Sequence, residues 1–115
     1  MKNTTEQQFS ADVLALSYKE PVVVMVHTSW CGPCKSLKPL IERLSQELQF
    51  SLIGIDGGKE KSLAASQSVR AVPTLLVFKD GKQFPTTIAG AKTETQIKDY
   101  LFKAGVTQNS LNFDL

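Results

Sequence analysis

Two cysteines separated by two residues, in Trp30-Cys31-Gly32-Pro33-Cys34-Lys35, are the side chains of this sequence best suited to chemistry, and they are its only two cysteines. Thiols at that spacing on the first turn of a helix come close enough to bond as a disulfide, and such a pair reads as redox chemistry or metal binding. The distinction turns on whether a helix starts there. Val22-Val23-Val24-Met25-Val26 is a continuous, largely β-branched run, expected to be a central strand covered on both faces. After Pro33 the apolar residues Leu37, Leu40, Ile41, Leu44 and Leu48 recur at the spacing of a helix with one buried stripe, in which Pro39 is expected to cause a kink. The pair therefore stands where strand hands over to helix. A thiol at a helix start faces unpaired backbone N–H groups and the positive end of the dipole, which favours its thiolate. Cys31 is the expected nucleophile and Cys34 the more buried, resolving thiol, with Pro33 suited to a first turn where its missing N–H has no partner to lose.

A zinc site wants about four nitrogen or sulfur ligands, and two cysteines with the single histidine, His27, fall short unless carboxylates or a second chain contribute. An inert buried pair conflicts with the helix-start position. No metal and no organic cofactor are expected.

The elements needed to hold the motif fit one domain. A chain of 115 residues, 42% hydrophobic, buries roughly two thirds of its unfolded surface, enough for a core without staples. A net charge of +2, with Lys and aromatics nowhere clustered as a groove-binding surface, argues against nucleic acid and anionic lipid as partners. The polar start and the absence of a long apolar run predict no signal or membrane segment, and hence a cytoplasmic, reducing setting. Ser10 is the expected N-cap of a first helix carrying Val13, Leu14 and Leu16, stopped by Pro21. Leu52, Ile53 and Ile55 predict a second strand, parallel to the first by a right-handed crossover, and residues 59–68 a short surface helix. Leu75 to Phe78 and Phe84 to Ala89 flank Asp80-Gly81 as a hairpin. Thr93 and Gln96 form a capping box for a last helix lined by Ile97, Tyr100, Leu101 and Ala104 and ended by Gly105. The order α-β-α-β-α-β-β-α predicts a three-layer α/β/α domain around a mixed sheet.

Residues 9 to 105 resemble a thioredoxin, through Trp30-Cys31-Gly32-Pro33-Cys34-Lys35, Pro39, Val72-Pro73-Thr74, Asp80-Gly81 and Gly90 in that order. The resemblance implies the thioredoxin fold over residues 1–105, with 106–115 as a C-terminal tail. It implies protein-disulfide reduction by thiol-disulfide exchange at Cys31 and Cys34, and a cis bond before Pro73. Substrate would bind as an extended segment along Val72, at a shallow surface made by Trp30, Gly32, Pro33, Val72, Pro73, Ala89 and Gly90. Disulfide-containing proteins are the implied substrates and a thioredoxin reductase the implied electron donor, the chain acting as a monomer or weak dimer. The competing reading is an adaptor or chaperone-type binding module with vestigial redox turnover, which has no chemical need for two apposed thiols.

The sequence departs from the family at Met25, Leu52 and His27 and at its opening residues. The aspartate usual six positions before the first cysteine is Met25, and the lysine that commonly pairs with it from the next strand is Leu52. Joint loss avoids an unpaired buried charge, so the two replacements make physical sense as a pair. His27, where a tryptophan is usual, shares a strand face with Met25 and is a candidate proton modulator, or a packing residue with one ring nitrogen satisfied. The opening residues 1–5 look too short and polar to supply the family's first edge strand, leaving the edge near Leu52 to Ile55 open. Leu111, Phe113 and Leu115 alternate with polar residues in the tail, so residues 110–115 are a candidate strand for that edge.

Overall fold

Every residue of the run from Val22 to Val26 is buried, because the strand it forms, β2 (Val22–His27), has neighbours on both sides and side-chain layers on both faces. The computed structural model describes residues 1–106. Around β2 lie β1 (Lys2–Asn3), β3 (Ser51–Asp56), β4 (Thr74–Lys79), β5 (Lys82–Gln83) and β6 (Ile88–Ala89). The order is β1-β3-β2-β4-β5, with β6 also on β4; β1 and β2 run parallel to β3, and β4 antiparallel to β2, β5 and β6. Helices α1 (Gly32–Leu48), α2 (Lys61–Ser66) and α3 (Glu94–Lys103) complete the mixed α/β fold.

The two-residue period of β2 and β4 divides the core. Val23, Met25, Leu75 and Val77 face α1 and α3, meeting Leu37, Ile41, Leu44, Ile97 and Leu101. Val22, Val24, Val26, Leu76 and Phe78 face the other way, onto Phe9, Val13, Leu63 and Ala64. α1 continues through Pro39 as one helix. The α3 capping box forms as expected, with Gln96 N–H donating to Thr93 Oγ1 at 3.1 Å and Thr93 N–H to Gln96 Oε1 at 2.9 Å.

Three expectations are corrected. Ser10 is not an N-cap: the chain is already turning at Phe9, and Ser10–Ala15 forms a π-helical segment followed by a 3-10 turn, Leu16–Tyr18, before Pro21 ends it. Of the strand expected over Phe84 to Ala89 only Ile88–Ala89, β6, forms, and a separate short strand, β5, lies before it at Lys82–Gln83. The register on β4 shifts by two residues between Gln83, opposite Phe78, and Ile88, opposite Leu75. Pro85 lies within that bulge, where a residue with no N–H to give is tolerated.

The third correction concerns the edge. Lys2 and Asn3 pair with Ile53 and Gly54 of β3, and Thr4 N–H donates to Gly54 O at 2.8 Å, so the first residues do supply an edge strand. Its length is limited, but its ends are pinned: the Met1 amino group meets Glu42 of α1 at 3.2 Å, and Lys2 and Thr4 both bond Asp12. Polar contacts at both ends replace the apolar length the sequence lacks. Val106 is fully buried against the α1 and α3 core, and the tail strand expected at 110–115 lies outside the described residues.

Candidate active site

The site is built at the ends of β2 and β4 and the start of α1. Cys31 takes extended backbone dihedrals as the N-cap of α1, and Pro33 occupies the first turn. The backbone N–H of Cys34 donates to Cys31 Sγ at 3.1 Å, so a helix-start donor is aimed at that sulfur. Cys31 and Cys34 are joined as a disulfide across a Cα–Cα separation of 5.3 Å. In this oxidised state Cys31 and Cys34 are 6% and 4% exposed, so burial scarcely separates them. What separates them is position, one sulfur capping the helix and the other inside its first turn.

Val72-Pro73 is a cis peptide, and Pro73 O accepts from Gly90 N–H at 2.8 Å, tying the residue before β4 to the turn after β6. Pro73 and Gly90 share a narrow cleft with Leu37, Leu75, Ile88, Lys92 and Ile97. Beside it opens a groove of about 460 Å³ lined by Gly32, Pro33, Ser36, Leu37, Leu40, Ala91 and Lys92. Trp30 sits on the opposite side, 73% exposed, its indole lying where a Cβ on Gly58 would meet it at 2.8 Å. Val72 is half-buried against both core layers and Ala89 is exposed. Sequence reasoning missed Ser36, Leu37, Leu40, Ala91 and Lys92 on the groove. The signal for Leu37 and Leu40 was their place on the α1 stripe; nothing in the spacing marked the other three.

Met25 is 1% exposed and belongs to the same apolar cluster as both cysteines, with Leu52 packed at its margin. His27 stands on the same face but turns toward the sheet edge, its Nε2 2.9 Å from Asn3 Oδ1. Gly54 makes room for this contact: a Cβ there would clash with Asn3 Oδ1 and come within 3.1 Å of His27 Nε2. Burial holds the His27 pKa below the usual imidazole value, against the Asp56 carboxylate, which raises it, and with Lys38, which lowers it further. Since Asn3 Oδ1 can only accept, Nε2 carries the proton of a neutral ring.

The thioredoxin family model matches residues 1–103. The chain belongs to the thioredoxin family. Thioredoxin 1 of Synechococcus elongatus is 32% identical over 101 residues, covering 86% of this chain and 92% of that protein. Thioredoxin X, chloroplastic, of Arabidopsis thaliana is 36% identical over 104 residues, 88% of this chain and 56% of the plant protein. The solved thioredoxin of Fasciola hepatica superposes with a TM-score of 0.79 at 27% identity, over 90% of this chain and 99% of that one. With its apposed cysteine pair the chain is a thiol-disulfide oxidoreductase acting on protein disulfides. Among the described residues no helix is long and apolar enough to cross a membrane, and no three His, Cys, Asp or Glu side chains are grouped to hold a metal ion.

Proposed function

We propose that Cys31 is the attacking thiolate and Cys34 the resolving thiol of a protein-disulfide reductase. The observation that carries the assignment is the Cys34 N–H aimed at Cys31 Sγ, since a donor fixed on one sulfur stabilises negative charge there. In the reduced protein, Cys31 thiolate attacks one sulfur of the target disulfide, forming a mixed disulfide and expelling the other target sulfur as a thiolate. Cys34 then gives up its proton and attacks Cys31 Sγ. The Cys31–Cys34 bond forms, the mixed bond breaks, and the target leaves with both sulfurs reduced.

The target segment would lie along Val72 and the cis Pro73, with Gly32, Pro33, Ala89 and Gly90 around it and Trp30 on the far side of the pair. A thioredoxin reductase would return two electrons to the oxidised pair, in a reducing compartment such as the cytoplasm, the chain working as a monomer or weak dimer. Met25 in place of an ionisable group supports one qualification: with an apolar side chain beneath Cys34, loss of its proton is slow, and the mixed disulfide is correspondingly long-lived. The extreme of that behaviour is the adaptor reading, in which the target is held more than turned over.

One experiment tests the roles. Cys31→Ser is expected to abolish reduction of insulin disulfides, whereas Cys34→Ser is expected to remain bound to its target as a mixed disulfide visible on a non-reducing gel. Preferential alkylation of Cys34 in the reduced protein, or retained activity in Cys31→Ser, would reverse the assignment.

A further inference from the structure

We propose that the groove beside the cysteine pair selects disulfide-bearing segments that carry a carboxylate side chain near the reacting cysteine, with Lys92 as the residue that reads it. The inference rests on the oxidoreductase reading and names the class of target that this site prefers.

The groove has an apolar floor and one charge. Among its lining residues, Gly32, Pro33, Ser36, Leu37, Leu40, Ala91 and Lys92, only Lys92 is ionised. The same holds for the narrower cleft that runs from it past Pro73 and Gly90. Leu37 and Lys92 line both, so a segment passing from the cysteine pair along the groove meets one apolar side chain and one charge there. The Lys92 side chain is exposed and has no ion-pair partner among the described residues.

The surrounding charges sharpen the case. Lys35 and Lys38, on the first turns of α1, are also exposed and without an ion-pair partner among the described residues. The carboxylates of α1 and α3 are all engaged: Glu42 with the amino terminus, Glu47 and Glu94 with Arg43, Glu94 also with Lys98, and Asp99 with Lys103. On the Trp30 side, Asp56 is occupied by the N–H groups of Gly58 and Lys59. A net charge of only +2 for the whole chain thus coexists with three uncompensated lysines at the motif end. An acidic target is drawn there by long-range attraction and then gains a contact with Lys92, while the apolar floor accepts an uncharged neighbour.

The test uses the full chain, reduced beforehand and mixed with cystine-bridged peptides, following single-turnover oxidation through the fluorescence of Trp30. The peptides differ only in carrying Glu, Gln or Lys at each position flanking the disulfide in turn. At low salt the Glu peptide is expected to react roughly threefold to tenfold faster than the Lys peptide at one or more positions, with the advantage falling as salt rises. Lys92→Glu is expected to erase or invert that order, and the charge-matched Lys82→Glu, on β5 opposite Lys79 at the end of β4, to preserve it. Equal rates for the three peptides in the wild-type protein, or a Glu preference that survives in Lys92→Glu, would overturn the proposal. Reduction of the uncharged hydroxyethyl disulfide by the wild-type chain reports the chemistry separately. If that proceeds while the peptides are not discriminated, the selection is wrong and the oxidoreductase reading stands; failure there as well would remove both.

Discussion

Met25 and His27 stand two residues apart on the same face of β2, and the fold treats them in opposite ways. Met25 is sealed among Cys31, Cys34 and Leu37, where an ion would have no water and no partner. His27 reaches the sheet margin, where its ring donates a hydrogen bond to Asn3 Oδ1 and solvent is near. Two steps along a strand separate a place where charge is costly from one where a titratable ring is kept and satisfied. The contrast leaves His27, the titratable side chain that β2 carries on this face, bonded to the edge strand.

The strongest way to break the contrast is to put an ion into the dry position. Met25→Asp is expected to destabilise the protein by about 3–5 kcal/mol in its ionised form, the scale of an uncompensated buried charge, or to keep the carboxyl protonated near neutral pH. It is also expected to accelerate the resolving step, by offering Cys34 a base. Adding Leu52→Lys should restore part of the lost stability, measured by thermal unfolding. Equal destabilisation in the single and double variants would show that the two positions are not coupled.

A smaller effect is expected at the wet position. Gly54→Ala displaces the Asn3 carboxamide from His27, and loss of that hydrogen bond should cost about 1 kcal/mol. The denaturant midpoint should fall by a matching amount, and Asn3→Ala should reproduce the loss without adding a Cβ. If Asn3→Ala is neutral, the edge strand is held by Met1, Lys2 and Thr4 alone.

The imidazole itself sets a pH dependence whose sign follows from its lowered pKa. Above the unfolded-state value of 6.5 both states are neutral and the contribution is complete. As pH falls below that value the unfolded chain takes up a proton the folded ring resists, and stability is lost until the folded pKa is passed. Melting temperatures between pH 8 and pH 5 should therefore fall further in the wild type than in His27→Gln, which keeps an N–H for Asn3 without titrating. A pH–rate profile for disulfide reduction that is the same in both proteins would confine His27 to packing.

The smallest effect is expected from removing residues 107–115. β3 already carries β1 on its edge at Ile53 and Gly54, so melting temperature and oligomeric state should both be retained. A lower melting temperature would point to a structural role for the tail within the chain, and loss of a dimer to exchange between chains.

The sequence by itself determined the features that repeat locally. The β-branched run of β2, the stripe of α1 and the capping box of α3 specify their elements through period and backbone chemistry, which neighbours in the chain enforce. The cysteine pair was legible for the same reason, since spacing on one helical turn and placement at its start are local properties. Local pattern also misled where a long-range contact won. Residues 1–5 look too polar for a strand, yet β1 forms because Glu42, remote in the chain, and Asp12, on the segment that follows, anchor its ends. Phe84 to Ala89 has the composition of one strand, yet the pairing with β4 breaks around Pro85. Only the tertiary structure decided that His27 turns to Asn3, that Gly54 must lack a side chain to admit both, and that Lys92 is the one charge on the groove beside the disulfide. Those relations join residues 24 or more positions apart, and no periodicity along a chain encodes which surfaces a mixed sheet and its helices bring together.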